Sequence, residues 1–292
     1  MRIVFLGLPL AALLLLGDGH QVVLAGVRRT LSNGTRRLRK LGTPVITDPQ
    51  NDWEAFRARA RAAGAELLVS WFFTRRIPMS LVQDCPLGGI GVHPSLLPRH
   101  RGPDPFFAAI DAGDTETGVT VHRIADEYDT GAILAQRSIR LDPRWNAWQL
   151  ARKLDRPSLA LLRETVQRAA QGDDLRGQPQ EERMATLAPS PGEDDRELHW
   201  SWPAERIERR IRALAPAPGA LAFVGDTCMT VLRATVTDDV PRALEPGEAA
   251  IDDRTVVVRA RDRGLAIEQV EIDGKTYEGA ELAMLVACAS KK

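Results

Sequence analysis

Cysteine is scarce in this chain of 292 residues, which contains only Cys85, Cys228 and Cys288. The three lie far apart and form no C-x-x-C pair, which argues against a disulfide framework and against a cysteine zinc site. We therefore expect free thiols in a reducing compartment, which corresponds to a cytoplasmic location.

A surplus of charge is also lacking, because Lys+Arg and Asp+Glu both number 39. Nothing in the overall charge favours binding to nucleic acid or to an anionic membrane. The apolar run over residues 3–17 could be a secretory signal peptide, but Gly7 and Pro9 divide it and a strand-like run follows at residues 21–25. A bilayer span takes about 20 apolar residues. We predict no membrane partner.

A glycine-rich dinucleotide fingerprint is missing as well, since Gly7 stands alone after the first strand-like run. Residues 3–7, 10–16 and 22–25 read as strand, helix and strand, and further buried strands are predicted at residues 66–70 and 89–93. A strand over residues 131–136 is predicted to pair with residues 138–141. This pattern predicts a doubly wound, Rossmann-like α/β domain.

The second half of the chain changes character after a segment rich in Gly, Pro and charged residues at 172–195, the composition of a linker. We predict a first domain over residues 1–185, a linker over 186–198 and a second domain over 199–292. Five short strands and a final helix are expected in the second domain, which suggests a small OB-like β-barrel. The strands are predicted at residues 221–224, 229–236, 247–251, 255–259 and 265–272.

His93 is the first candidate for chemistry, because an apolar strand delivers it to a Pro-rich turn. Ligands of open α/β sheets bind at the carboxyl ends of the strands. A lone His at such a place is more often structural, but here the run His-Pro-Ser-Leu-Leu-Pro-x-x-Arg-Gly continues from it, and Asp126-Glu127-Tyr128-Asp129-Thr130-Gly131-Ala132 follows downstream.

These ordered motifs resemble the formyltetrahydrofolate-dependent formyltransferases, a family that includes methionyl-tRNA formyltransferase and enzymes that formylate amino sugars. The resemblance extends to the second half, where Trp-Ser-x-Pro-Ala and Pro-x-Pro-Gly-Ala match the family's carboxyl-terminal β-barrel domain. It implies that His93 and Asp129 are catalytic and that 10-formyltetrahydrofolate is the formyl donor. It further implies folate-binding roles for three segments: Arg75, Arg76 and Ile77; Ser95, Leu96, Leu97 and Pro98; and Ala125, Asp126, Glu127 and Tyr128.

Gly91 departs from the family, which has an Asn two residues before the catalytic His. That Asn is the family's third catalytic residue, and we take it to be the side-chain donor to the oxygen that becomes negative. Removing one such donor typically costs on the order of 100 to 1,000-fold in rate. Transfer could persist with a water, a backbone N–H, Arg75 or Arg76 as donor; the site could run a different reaction; or it could only bind. If transfer persists, Gly91→Asn is expected to be neutral or activating.

Formyl transfer also needs a base for the amine proton, and imidazole suits this because its ordinary pKa is near 6.5. Asp129 is expected to accept a hydrogen bond from His93, to fix its tautomer and to raise its pKa. His20, His100 and His122 lack metal-ligand spacing, so we assign them no ligand role and predict no metal.

The acceptor can be argued from charge. Residues 199–292 carry thirteen Lys+Arg and fifteen Asp+Glu, whereas a domain that docks tRNA should present surplus positive charge. This favours a small-molecule amine, such as an amino sugar or biosynthetic intermediate, over tRNA, with methionyl-tRNA formylation as the alternative. The basic stretch at residues 28–40 reads equally as a phosphate grip or as a solvated face. A homodimer is compatible with the sequence, which does not decide the oligomeric state.

Overall fold

The computed structural model describes residues 1–28, 32–224, 227–252 and 254–289. The chain divides into two compact units that interleave in sequence. The first comprises Met1–Pro103, Thr117–Ile139 and Lys153–Leu187, and the second comprises Asp104–Glu116, Arg140–Arg152 and Ala188–Lys292.

The first unit is built on a seven-stranded sheet in the order β3-β2-β1-β4-β5-β6-β7. Strands β1 to β5 run parallel, and β6 runs antiparallel to β5. Because helices cover a parallel sheet on both faces, its central strands β1 and β4 are mostly apolar and almost wholly buried. The strands are β1 Arg2–Gly7, β2 Gln21–Val27, β3 Val45–Thr47, β4 Leu67–Trp71, β5 Gly89–His93, β6 Glu116–Arg123 and β7 Ile133–Arg140.

Local sequence explains where the helices of this unit begin. Pro9 opens the first helix, and the side chains of Ser32 and Asp52 accept hydrogen bonds from the first turns of the next two. The helices are α1 Pro9–Gly17, α2 Asn33–Lys40, α3 Trp53–Ala62, α4 Met79–Gln83, α5 Pro105–Asp111, which belongs to the second unit, and α6 Ala147–Ala170, with short 3-10 turns at Pro49–Asn51 and Glu182–Met184.

One strand differs from expectation. Residues 133–140 form the single continuous strand β7, so residues 131–136 do not pair with residues 138–141. Arg137 and Ser138 offer neither the Gly nor the Pro that a tight reversal needs, and side chains alternate between half-buried and exposed along the strand.

The second unit carries a six-stranded sheet in the order β10-β11-β12-β9-β8, with β13 paired to β12. It has one strand more than predicted, Lys275–Glu278, whose side chains are mostly exposed and carry no apolar pattern. The missed signal was Asp273-Gly274, both at positive φ, in a two-residue hairpin turn. The elements are α7 Glu193–Arg196, α8 Ala204–Leu214, β8 Ala220–Val224, β9 Thr227–Thr237, β10 Ala249–Ile251, β11 Val256–Arg259, β12 Gly264–Ile272, β13 Lys275–Glu278 and α9 Gly279–Ala289.

The predicted fold class is confirmed: a parallel-sheet α/β unit and a unit built on a curled antiparallel sheet. Among the described residues, none of the helices combines the length and apolarity that a bilayer crossing requires.

Candidate active site

His93 ends β5 at the carboxyl edge of the parallel strands, and its side chain is buried. Its Nε2 lies 2.7 Å from the carbonyl oxygen of His100. A carbonyl only accepts, so Nε2 carries the hydrogen and donates it. The backbone of His100 therefore fixes the tautomer, and the prediction that Asp129 does so is wrong.

Asp129 faces the other ring nitrogen. Its Oδ1 lies 3.4 Å from Nδ1 of His93, a contact longer than a normal hydrogen bond. The second carboxylate oxygen accepts a hydrogen bond of 2.9 Å from the backbone N–H of Gly102. The structure thus brings the two predicted catalytic side chains together, with Nδ1 of His93 aimed at a fixed carboxylate.

A backbone constraint holds Asp129 in place. The residue has a φ of +59°, in the left-handed region that L-residues adopt only at a cost. Gln180 donates from Nε2 to the carbonyl oxygens of Asp129 and Gly131, at 2.7 and 2.8 Å. These two bonds secure the strained turn that presents the carboxylate.

Arg101 in turn holds Gln180. Its buried guanidinium donates to Oε1 of Gln180 at 2.7 and 3.0 Å and to the carboxylate of Glu182 at 2.8 and 2.9 Å. The Arg-Gly pair of the motif therefore supports Asp129 in two ways. Arg101 holds Gln180, which bonds to the Asp129 backbone, and Gly102 donates its N–H to the Asp129 carboxylate. Sequence reasoning missed Gln180, because it lies in the segment whose composition indicates a linker.

Burial dominates the titration of His93. It lowers the pKa of the imidazole below its ordinary value, whereas the charge of Asp129 and the bond to the His100 carbonyl raise it by less. The expectation of a raised pKa is therefore wrong in net direction, although Asp129 acts with the expected sign. The ring is neutral at neutral pH, as a proton acceptor must be.

His122 is a second imidazole at the same carboxylate, and sequence reasoning gave it no role. It is buried on β6, with Nδ1 2.8 Å from the carbonyl oxygen of Arg123 and Nε2 3.6 Å from Oδ1 of Asp129. Burial lowers its pKa, while the charge of Asp129 opposes that shift. The carboxylate therefore lies between two rings.

The missing side chain at residue 91 is explained by this second ring. Gly91 is the cross-strand partner of His122, and an ideal Cβ on Gly91 would lie 3.3 Å from Nε2 and 3.5 Å from Cε1 of the imidazole. A side chain at residue 91 would therefore press on this ring, which would have to give by a few tenths of an ångström. The expectation that Gly91→Asn is neutral or activating does not fit this geometry.

The turn after His93 is held by its own hydrogen bonds. Ser95 is fully buried and donates its hydroxyl to the carbonyl of Arg99 at 2.6 Å. Thr120 donates to the carbonyl of Ser95 at 2.7 Å and accepts from the N–H of Leu97 at 3.1 Å. Leu97 is buried, and Leu96 and Pro98 are half-buried. Leu96 and Pro98 are therefore the apolar side chains of the turn that stay partly exposed.

Two other segments assigned to folate binding meet. Nη2 of Arg76 lies 2.9 Å from Oδ1 and 3.2 Å from the carbonyl oxygen of Asp126. Arg75, Arg76, Asp126, Glu127 and Tyr128 are exposed, and Ile77 and Ala125 are half-buried. Their folate-binding roles, like that of the Ser95–Pro98 turn, stay predictions.

Gly131 is required where the loop returns to the sheet. A Cβ there would lie 1.8 Å from the carbonyl oxygen of Arg123, a distance no side chain tolerates. Within the part of the chain that the structure describes, no cluster of three His, Cys, Asp or Glu side chains is arranged to hold a metal ion.

An imidazole and a carboxylate held together at the strand ends form a site that is chemically suited to moving a proton. Residues 36–166 match the family model "Formyl transferase", and residues 192–285 match "Formyl transferase, C-terminal domain". The chain is 32% identical to the methionyl-tRNA formyltransferase of Corynebacterium diphtheriae, over 94% of this chain and 93% of that protein. The methionyl-tRNA formyltransferase of Nitrosospira multiformis is 31% identical, over 97% and 96%. The chain belongs to the formyltransferase family.

Solved structures share the fold at lower identity. HypX from Aquifex aeolicus, in complex with tetrahydrofolic acid, aligns with a TM-score of 0.68 and 20% identity, over 97% of this chain and 46% of the HypX chain. The N-formyltransferase from Helicobacter canadensis, in complex with folinic acid and dTDP-3-aminofucose, aligns with a TM-score of 0.69 and 14% identity, over 95% and 100%. At these identities the likeness establishes the fold.

Proposed function

We propose that the chain transfers a formyl group from 10-formyltetrahydrofolate to the amine of a small molecule. The observation that carries this proposal is the pairing of His93 with Asp129 at the carboxyl end of β5. The solved relatives with tetrahydrofolic acid and folinic acid bound support the choice of donor.

His93 supplies the base in this mechanism. Nε2 is committed to the His100 carbonyl, so the amine proton is taken up at Nδ1. The imidazolium that results lies 3.4 Å from the carboxylate of Asp129, which balances its charge in a buried setting where an isolated cation is costly. The same proton is then available to the nitrogen that leaves when the formyl group departs.

The residues proposed to hold the donor fit a flat ring system that carries carboxylates. Leu96 and Pro98 offer half-buried apolar faces beside His93, and Arg75 and Arg76 are exposed cations. The ion pair between Arg76 and Asp126 joins the segment after β4 to the loop that carries Asp129. The donor would therefore contact segments that are tied to the catalytic loop.

The charge of the second unit supports a small acceptor. Several of its arginines pair with its own carboxylates: Arg210 with Asp111, Arg212 with Glu208, Arg233 with Glu268 and Arg263 with Glu205. Such cations contribute less to phosphate neutralisation, which supplies most of the affinity for nucleic acid. Helix α2, in contrast, exposes Arg36, Arg37, Arg39 and Lys40. Its charge suits the phosphates of an aminated nucleotide sugar.

Methionyl-tRNA is the second candidate acceptor. The relatives that match over almost the whole chain are methionyl-tRNA formyltransferases, and the basic face of α2 would also suit RNA phosphates. Charge and relatives thus point to different acceptors, and an assay decides between them.

The test incubates the full chain with 10-formyltetrahydrofolate and either a panel of aminated nucleotide sugars or methionyl-tRNA. Release of tetrahydrofolate, with the mass of one formyl group gained by a small amine, is the expected result. Formylation of methionyl-tRNA alone would overturn the small-molecule assignment. Calorimetry with 5-formyltetrahydrofolate accompanies the assay, because binding without transfer would identify a binding-only protein, and absence of both would refute the proposal.

A further inference from the structure

His122 and Gly91 form a complementary pair across two strands. They are direct partners in the antiparallel pairing of β5 and β6, so the imidazole projects over the position from which a side chain of residue 91 would extend. Residues 91 and 93 are two positions apart, so their side chains lie on the same face of β5. The ring of His122 therefore stands beside that of His93, in the space left by the missing side chain.

The orientation of the ring is determined by one hydrogen bond. Nδ1 lies 2.8 Å from the carbonyl oxygen of Arg123, to which it must donate. Nε2 is thereby turned towards Gly91 and towards Oδ1 of Asp129, at 3.6 Å. At 3.6 Å the contact with Asp129 is longer than a hydrogen bond, so the carboxylate does not engage Nε2 as a hydrogen-bond partner.

We propose that His122 is a catalytic residue that replaces the side-chain donor absent at Gly91, by donating from Nε2 to the formyl oxygen during transfer. This assignment rests on the proposed formyl transfer and names the group that stabilises its intermediate. Because Nδ1 already donates to a carbonyl, the donating form is the imidazolium, and Asp129 provides its counter-charge.

The electron and proton balance uses both rings. The amine lone pair forms the new C–N bond while the carbonyl π pair moves onto oxygen, which accepts the Nε2–H hydrogen bond of His122. His93 takes the amine proton at Nδ1. Collapse then re-forms the C=O bond and breaks the bond from carbon to the donor nitrogen, which keeps that electron pair and receives the proton from His93. His122 takes its Nε2 proton from solvent before the step and keeps it throughout.

One carboxylate shared by two imidazoles favours one ring as the base and the other as the hydrogen-bond donor. The charged and titratable groups that act on His122 are Asp129 and His93. A proton on one ring disfavours a proton on the other, so the site would enter the step with one acid, His122, and one base, His93. While His93 holds the amine proton, the negative formyl oxygen and Asp129 balance the two imidazolium charges. Burial disfavours the imidazolium in the resting site, and a negative formyl oxygen favours it. The hydrogen bond is therefore stronger in the transition state than in the ground state.

The test exchanges the two positions. His122→Ala is expected to lower kcat by on the order of 100-fold, with a smaller change in the KM for the donor. In the H122A background, Gly91→Asn brings an amide donor into the vacated space, whereas Gly91→Leu adds a side chain of similar size without a donor. We expect G91N/H122A to recover at least about tenfold in kcat over H122A, and G91L/H122A not to recover.

Equal activity of the two double variants, or full activity of H122A, would overturn the proposal, because either result would reduce His122 to packing. Thermal unfolding of each variant shows that it is folded, and His122→Gln provides a milder substitution if H122A is not. The wild-type protein tests the underlying function separately. If it transfers no formyl group to any acceptor, formyl transfer fails; if it is active but the double variants do not differ, only the role of His122 fails.

Discussion

Gly91→Asn alone should damage the protein, and the size of the effect follows from the packing around this position. The ideal Cβ would already lie 3.3 Å from Nε2 of His122 and 3.7 Å from Cγ1 of Ile124. Asparagine adds three further heavy atoms to a space bounded by these two buried or half-buried side chains. Overpacking of this kind costs about 1 to 3 kcal/mol.

The assay is urea unfolding of four proteins: wild type, G91N, H122A and G91N/H122A. We expect G91N to lower the free energy of unfolding by about 1 to 3 kcal/mol. The double variant should be more stable than the sum of the two single effects predicts, because deletion of the ring makes room for the amide. Additive effects, or a G91N variant as stable as the wild type, would refute the packing argument.

Three further predictions concern the same site. His93→Ala should lower kcat by on the order of 100-fold or more, and retained turnover in this variant would contradict the assignment of His93 as the base. In the wild type, kcat/KM should fall on acidification below the ordinary imidazole pKa of about 6.5, because burial lowers the pKa of His93. Gln180→Ala should lower kcat about tenfold and also lower the free energy of unfolding, because buried Arg101 loses a hydrogen-bond acceptor. An unchanged kcat would show that Asp129 needs no such support. Burial lowers the pKa of His20, His93 and His122 in the folded protein, so the unfolded chain binds more protons than the folded one as the pH falls through about 6.5. The free energy of unfolding should therefore decrease between about pH 7.5 and about pH 5.5. Urea midpoints that stay constant over this range would contradict the prediction.

The proposed catalytic pair was predicted from sequence because both residues stand in short local motifs that resemble those of the formyltransferase family. His93 follows an apolar run and opens a distinctive turn, and Asp129 lies in a compact polar loop with Gly131 after it. The parallel arrangement of the strands follows from alternating apolar strands and helices. In the second unit, the extra strand Lys275–Glu278 was missed because its residues lack an apolar alternation and form a strand only by pairing with β12.

The support around the pair could not be predicted, because it depends on contacts between distant segments. Gln180 reaches the carbonyl of Asp129 from 51 residues away, out of a stretch whose composition suggests only a linker. The predicted direction of the His93 pKa shift was wrong for a related reason. Sequence shows which charge stands near the ring, but the depth of burial, which outweighs that charge, is a property of the folded packing.

The loss of a side chain at residue 91 looks like a defect only while β5 is considered by itself. In the sheet, the register of β5 and β6 places His122 opposite Gly91, and a Cβ at residue 91 would press on the imidazole at 3.3 Å. A glycine is therefore what allows the ring to reach Asp129. If an amide at residue 91 and an imidazole at residue 122 can each donate to the formyl oxygen, then formyl transfer requires one of these two donors and does not require Asn at residue 91.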